Sequence, residues 1–239
     1  MLELRKSSDR GIARFNWLES RHTFSFGGYD DPQHQGFSDL LVINDDRVRP
    51  GTGFSTHSHR DMEIFTVVLE GALEHKDSTG TGSVIRRGDM QLMSAGSGIR
   101  HSEFNPSDTE TVHFLQIWIV PEVKGVRPHY QQMHFDDEQK RGRLHLVLSP
   151  RGAKGSMSLF QDAQVYAGLF DGSEQATLEL EARRYAYIHV ASGNLQVNGL
   201  PLDEGDGVRV RDEHRLHFAA GRSAQVLVFD LRPRELPPR

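Results

Sequence analysis

Two short stretches hold the residues best suited to chemistry: THSHRDME from Thr56 to Glu63, and GIRHSEFN from Gly98 to Asn105. The first carries His57 and His59 with one residue between them; the second carries His101 and Glu103 at the same spacing. Successive side chains on a strand alternate between faces, so each pair projects to one side while Ser58, Arg60 and Ser102 project to the other. Two such strands meeting inside a small barrel would aim three imidazoles and a carboxylate at one point. That donor set suits a divalent first-row transition metal and leaves coordination positions open for substrate or oxygen. The same alternation also describes a solvent-facing strand, and in a chain with 13 histidines a lone His-x-His is a weak signal. The surrounding spacings favour the metal: Gly51 precedes His57, Glu63 and Gly71 follow it, and Gly88, Gly96, His101 and Asn105 form a second spaced set.

Composition limits the alternatives. The chain has no cysteine, which removes disulfides, thiolate metal sites and cysteine nucleophiles together and leaves nitrogen and oxygen as metal ligands. Its 28 Lys and Arg against 33 Asp and Glu give a net charge of −5, so no general attraction to nucleic acid or an anionic membrane is expected. The N-terminus MLELRKSSDRG lacks an apolar core of signal-peptide length, and runs such as FLQIWIV are too short to span a bilayer; a cytoplasmic protein is expected. At 239 residues there is room for one large domain or two ordinary ones.

The elements that must position the two motifs read as strands. DLLVIND, EIFTVVLEG, MQLMSAG, VHFLQIWIV, LHLVLS, YAYIHVASG, GVRVRD and AQVLVFDL recur between Gly, Asp, Asn or Pro, which predicts an all-β barrel or sandwich. VLEGALEH around Gly71 resembles VASGNLQV around Gly193, and each precedes a Gly-Asp turn, Gly88-Asp89 and Gly205-Asp206, about 120 residues apart. This weak repeat predicts two copies of one small β fold. The places of His57 and His59 fall on Glu179 and Glu181 in the second copy, where Glu179, Glu181, His214 and His217 do not reproduce the spacing of a metal set. The stretch after Pro121, rich in charge, Gly and Pro, reads as a connection containing one short strand.

The remaining candidates have plainer readings. His22, in SRHTFSFGGYDDP, is expected in a packed or capping role, and His75, His129 and His134 in loops. Trp17 and Trp118 read as core anchors. GSGIR is not followed by a strand-to-helix phosphate loop, and no nucleophile signature such as GxSxG occurs.

GTGFSTHSHRDMEIFTVVLEG resembles the first cupin motif, and GDMQLMSAGSGIRHSEFN the second, with two extra residues between Gly96 and His101. Taken with WLESRHTFSFGGYDDPQHQGFSDLLVINDD and LQIWIVP, the pattern closely resembles the pirin family, strongly over residues 1–120 and more loosely beyond. The resemblance implies a bicupin of two jelly-roll-type β-barrels. A metal-binding barrel is expected over 1–125, a connecting segment over 126–155, and a second barrel without metal ligands over 156–239. Carried over, the family's ligands fall on His57, His59, His101 and Glu103. Glu63, one place early for the carboxylate ligand of many other cupins, is expected instead to hydrogen-bond a ligand.

The resemblance further implies quercetin 2,3-dioxygenase activity, in which oxygen opens a flavonol ring and carbon monoxide is released. One divalent metal per chain is expected, iron(II) ahead of nickel, cobalt, copper, manganese or zinc. Glu103 would serve as ligand and as acceptor of the substrate's hydroxyl proton, with Phe65 and Val67 lining an apolar slot for the aromatic rings. The expected partners are a small aromatic substrate and O2, with no direct contact to nucleic acid, no membrane, and a monomeric chain. A second reading is a non-catalytic regulatory protein of the pirin type, whose metal redox state controls binding of a protein partner.

Overall fold

The computed structural model of the chain describes residues 1–235. In the first half the strands are β1 (Leu2–Arg5), β2 (Gly11–Arg14), β3 (Leu18–His22), β4 (Leu40–Val48), β5 (Gly53–His59), β6 (Glu63–Glu70), β7 (Ala72–Asp77), β8 (Gly82–Arg86), β9 (Asp89–Ser94), β10 (Ile99–Phe104), β11 (Val112–Ile119) and β12 (His129–His134). One helical turn, α1 (Asp137–Lys140), precedes β13 (Leu144–Pro150), β14 (Met157–Leu159), β15 (Ala163–Phe170), β16 (Ala176–Glu179), β17 (Tyr185–Val197), β18 (Leu200–Asp203), β19 (Gly207–Val210) and β20 (Arg215–Leu231). All eight runs singled out in the sequence are strands, as their β-branched and aromatic content requires.

The first half is a sandwich of a seven-stranded sheet, ordered β12-β9-β6-β11-β4-β3-β2, and a four-stranded sheet, ordered β5-β10-β7-β8. The second half is one nine-stranded sheet that folds over itself. Its long strands β17 and β20 run through both layers, and register breaks between Val190 and Gln196 mark where the pair turns from one layer to the other. Each half is a jelly-roll of the cupin type whose layers face each other. No helix among the described residues is long and apolar enough to cross a membrane.

The two halves are bound more intimately than a linker reading suggests. β1 pairs with β19 of the second half, Leu4 opposite Val208, while β12 pairs with β9 of the first, Gln131 opposite Leu92. The segment 126–155 thus carries two strands, β12 in the first sheet and β13 in the last. Near the C-terminal end of the described chain, Arg232 and Arg234 both bond the buried carboxylate of Asp39. The largest apolar core lies between the halves, where Phe65, Val67, Leu92, Leu115 and Ile117 meet Leu148, Val165, Tyr187, Leu227 and Phe229. Each such side chain, fully buried, is worth roughly 1.5–3 kcal/mol.

This placement corrects the expected slot. Phe65 and Val67 point into the core between the halves, not into the first barrel. The alternate residues of β6, Ile64 and Val68, face the barrel interior, in clusters with Met93 and Ile99 and with Leu73 and Phe114 respectively.

Candidate metal centre

The small sheet gathers the donors. β5 and β10 pair antiparallel with His57 opposite His101, and a bulge between His101 and Glu103 shifts the register so that Glu103 lies opposite Phe54. A Cβ on Gly53 would come within 2.2 Å of the Glu103 carbonyl oxygen, so glycine is needed there for the strands to approach. At the entrance to β10, Gly96 has φ +46° and packs directly against the Val126 carbonyl. Only glycine lets the turn into the second motif close in this way.

Strand parity brings the three imidazoles together. The rings of His57 and His59 lie 4.8 Å apart, His57 and His101 4.4 Å, and His59 and His101 4.9 Å, and their donor atoms fall within 4.8 Å of one another. His57 Nδ1 lies 2.8 Å from the Ser55 carbonyl oxygen and donates to it, which leaves Nε2 with its lone pair free. His101 Nε2 is buried and has no hydrogen-bond partner. Burial, then the neighbouring imidazoles, pushes the His101 pKa far down; burial and His57 lower that of His59 to about 4. Imidazole nitrogens whose lone pairs meet no protein donor are what a metal requires, so the residues present fit a divalent ion.

Glu103 is placed differently from the three rings. It is buried and falls in a second, overlapping donor group with His101 and His75. Gln116 Nε2 donates to both of its oxygens, at 3.0 and 2.8 Å, and the Gln116 Oε1 accepts from Thr66 Oγ1 at 2.8 Å. Burial raises the Glu103 pKa to about 7 against the opposing pull of Gln116. Asp46, buried in the facing sheet with one oxygen unpartnered, is also raised to about 7, by burial and by the charges of Asp45 and Glu103.

Several residues depart from their expected roles. Glu63 bonds no imidazole; its carboxylate accepts from Ser94 Oγ at 2.9 Å and from the Phe160 backbone at 3.3 Å, tying the first barrel to the second half. His129 and His134 lie on β12, not in loops. His75 lies on β7, fully buried, its Nδ1 3.4 Å from His101 Nδ1. The signal that would have found it is HKD, His75-Lys76-Asp77, which repeats the His-x-acid spacing of His101 and Glu103. Trp118 stands edge-on to His59 at 5.0 Å and to Phe26 at 5.4 Å, with its indole nitrogen buried and unpartnered, so it borders the cluster as well as packing. His22 is packed, its Nδ1 2.7 Å from Asn44 Oδ1, and Trp17 packs edge-on to Phe54 at 5.0 Å. A cleft of about 480 Å³ lined by Ser58, His59, Arg60, Ile99 and Arg100 opens beside the cluster.

In the second half, Glu179 pairs with Arg215 at 2.8 Å and His217 meets Thr177 at 3.3 Å. Among the described residues, the groups of three donors able to share an ion are the two that share His101.

Comparison with known proteins agrees over the full length. Residues 4–119 match the family described as Pirin, and residues 146–231 the quercetinase C-terminal cupin domain. A quercetin 2,3-dioxygenase of Escherichia coli K12 is 47% identical over 233 residues, 98% of this chain and 100% of the relative. A putative quercetin 2,3-dioxygenase of Pasteurella multocida is 38% identical over 235 residues, 97% of this chain and 100% of the relative. The solved structure of the bacterial pirin YhhW from Escherichia coli, in complex with nickel(II), superposes with a TM-score of 0.93 at 46% identity, covering 98% of this chain and 100% of that one.

Proposed function

The chain belongs to the pirin family, and from that membership we propose that it is a metal-dependent dioxygenase that opens the ring of quercetin-like flavonols. The observation that carries this reading is the convergence of three imidazoles, with His101 Nε2 unpartnered, beside a buried carboxylate. His57, His59, His101 and Glu103 are the proposed ligands of one divalent ion per chain, iron(II) first among the candidates. When bound, such an ion supplies Lewis acidity to a coordinating phenolic oxygen.

The chain's own groups then have distinct tasks. A Glu103 oxygen accepts the proton of the flavonol's hydroxyl, work suited to a buried carboxylate beside the cluster. Gln116, itself fixed by Thr66, keeps the carboxylate from swinging away. Ile99, which lines the cleft, and Trp118, edge-on to His59, offer the flavonol rings an apolar surface beside the cluster. The test is elemental analysis of protein purified without added metal, followed by oxygen uptake with quercetin. One equivalent of metal and quercetin-dependent uptake support the reading. Stoichiometric metal without uptake favours the regulatory, non-catalytic protein instead.

A further inference from the structure

β7 lies beside β10 in the small sheet, with His75 opposite Glu103 and Asp77 opposite His101. Both side chains are fully buried. Asp77 Oδ1 receives the Thr79 backbone amide at 2.8 Å, the Thr79 hydroxyl at 2.6 Å and the Thr81 amide at 3.3 Å. Its Oδ2 lies 3.0 Å from His75 Nε2. Burial alone would raise the Asp77 pKa, but Thr79, His75 and the two amides together hold it below its usual value, so the carboxylate is ionised. An ionised carboxylate only accepts hydrogen bonds, so His75 carries a proton on Nε2. The Gln91 amide nitrogen, which can only donate, faces His75 Nδ1 at 3.4 Å, so that nitrogen bears a lone pair.

That lone pair also faces His101 Nδ1 at 3.4 Å, at the long end for a hydrogen bond. Two lone pairs facing each other in a dry interior repel, whereas a proton on His101 Nδ1 makes the contact attractive. The proton then leaves Nε2 of His101 bare, the atom that is buried without any partner.

We propose that Asp77 and His75 are positioning residues that lock His101 in its Nδ1-protonated tautomer and so present Nε2 to the metal. The proposal rests on the metal reading above. His57 reaches the same tautomer through the Ser55 carbonyl, so the two rings are oriented by different means, one by its own strand and one by a buried chain of side chains. His75 also lies within reach of an ion shared with His101 and Glu103; as a ligand it would have to use the Nδ1 that the relay spends on His101. Partners that fix a ligand's tautomer are worth 10- to 100-fold in metal affinity.

The variant-free test is nitrogen-15 NMR of the metal-free protein with labelled histidine, where His101 should appear protonated at Nδ1 and His75 at Nε2. The opposite tautomer at His101 overturns the proposal outright. Cobalt(II) titration supplies the second arm. His75→Leu and Asp77→Ala should bind cobalt about 10- to 100-fold more weakly, with an unchanged ligand-field spectrum, and His75→Gln, whose amide oxygen can accept from His101, should recover part of the loss. Parent-like affinity in His75→Leu refutes the relay, and a spectrum showing one donor fewer makes His75 a ligand instead. His101→Ala separates the two levels: if it leaves cobalt affinity untouched the site reading fails, whereas loss there with none in His75→Leu removes only the relay.

Discussion

The two barrels place opposite contents at matching points of the same fold. In the first, His57 pairs with His101 across β5 and β10; in the second, Leu178 pairs with Leu216 across β16 and β20. Around Leu216 the interior is closed by Leu180, Ile188, Val190 and Val226, and by Phe170 stacked on Phe218 at 5.9 Å. Glu179, counted as the equivalent of His57, is exposed and paired with Arg215, because Leu178 and Leu180 take the inward parity. A barrel interior can thus be spent on apolar packing or on buried imidazoles and carboxyls, and the choice is made by which residues share a parity on two strands.

The largest effect expected from this contrast is on metal content. His57→Ala or His101→Ala should abolish binding, since each removes a donor, while Glu179→Gln combined with Glu181→Gln should leave one equivalent per chain by elemental analysis. Two tightly held ions in the parent would erase the contrast. Next in size is Glu103→Gln, which keeps shape and one oxygen but loses charge and basicity. Quercetin-dependent oxygen uptake per bound metal should fall about 10²- to 10⁴-fold, and raising the pH to ionise the substrate in solution should restore part of it. Activity within a few-fold of the parent at neutral pH would mean that Glu103 takes no proton.

The second barrel should answer in stability. Leu216→Ala is expected to cost about 2–5 kcal/mol in urea melts, as for other fully buried leucines, with metal content at one equivalent in the folded fraction. A loss well under 1 kcal/mol would mean that its interior is not a packed core.

The smallest effect concerns Glu63, at the seam between the halves. Burial raises its pKa from 4.5 to about 7, against the pull of Ser94 and the Phe160 amide. The folded chain therefore holds that proton more tightly than the unfolded one, and the stability this confers is present below about pH 4.5 and lost as pH rises through 7. At about 1.4 kcal/mol per pKa unit, metal-free parent should lose about 1–3 kcal/mol relative to Glu63→Gln between those limits. A difference that does not change with pH would show that Glu63 ionises as an ordinary exposed carboxyl.

What was legible beforehand was local. His57, His59, His101 and Glu103 could be paired by parity because alternation on one strand needs no knowledge of the next, and the eight long apolar runs announced their strands. The failures have physical causes. β6 is buried on both faces from Glu63 to Leu69, so its composition holds no cue to which side faces which core, and alternation alone does not reveal that Phe65 and Val67 face the core between the halves. His75 precedes the turn DSTGTG, whose polar residues make a fully buried strand end look like a loop. The pairing of β1 with β19, and the bond from Glu63 to Phe160, join distant segments through contacts that no local pattern encodes. Glu63, whose place in the motif suggests a hydrogen bond to a metal ligand, sits instead at the seam.

Steady-state oxygen uptake with quercetin, normalised to bound metal, tests the central claim most directly. A working flavonol dioxygenase should show kcat/KM at or above about 10⁴ M⁻¹s⁻¹, abolished in His101→Ala along with the metal. A fully metallated protein whose kcat/KM lies orders of magnitude below that value would contradict the account, and would leave the open site of the first barrel to a binding or regulatory role.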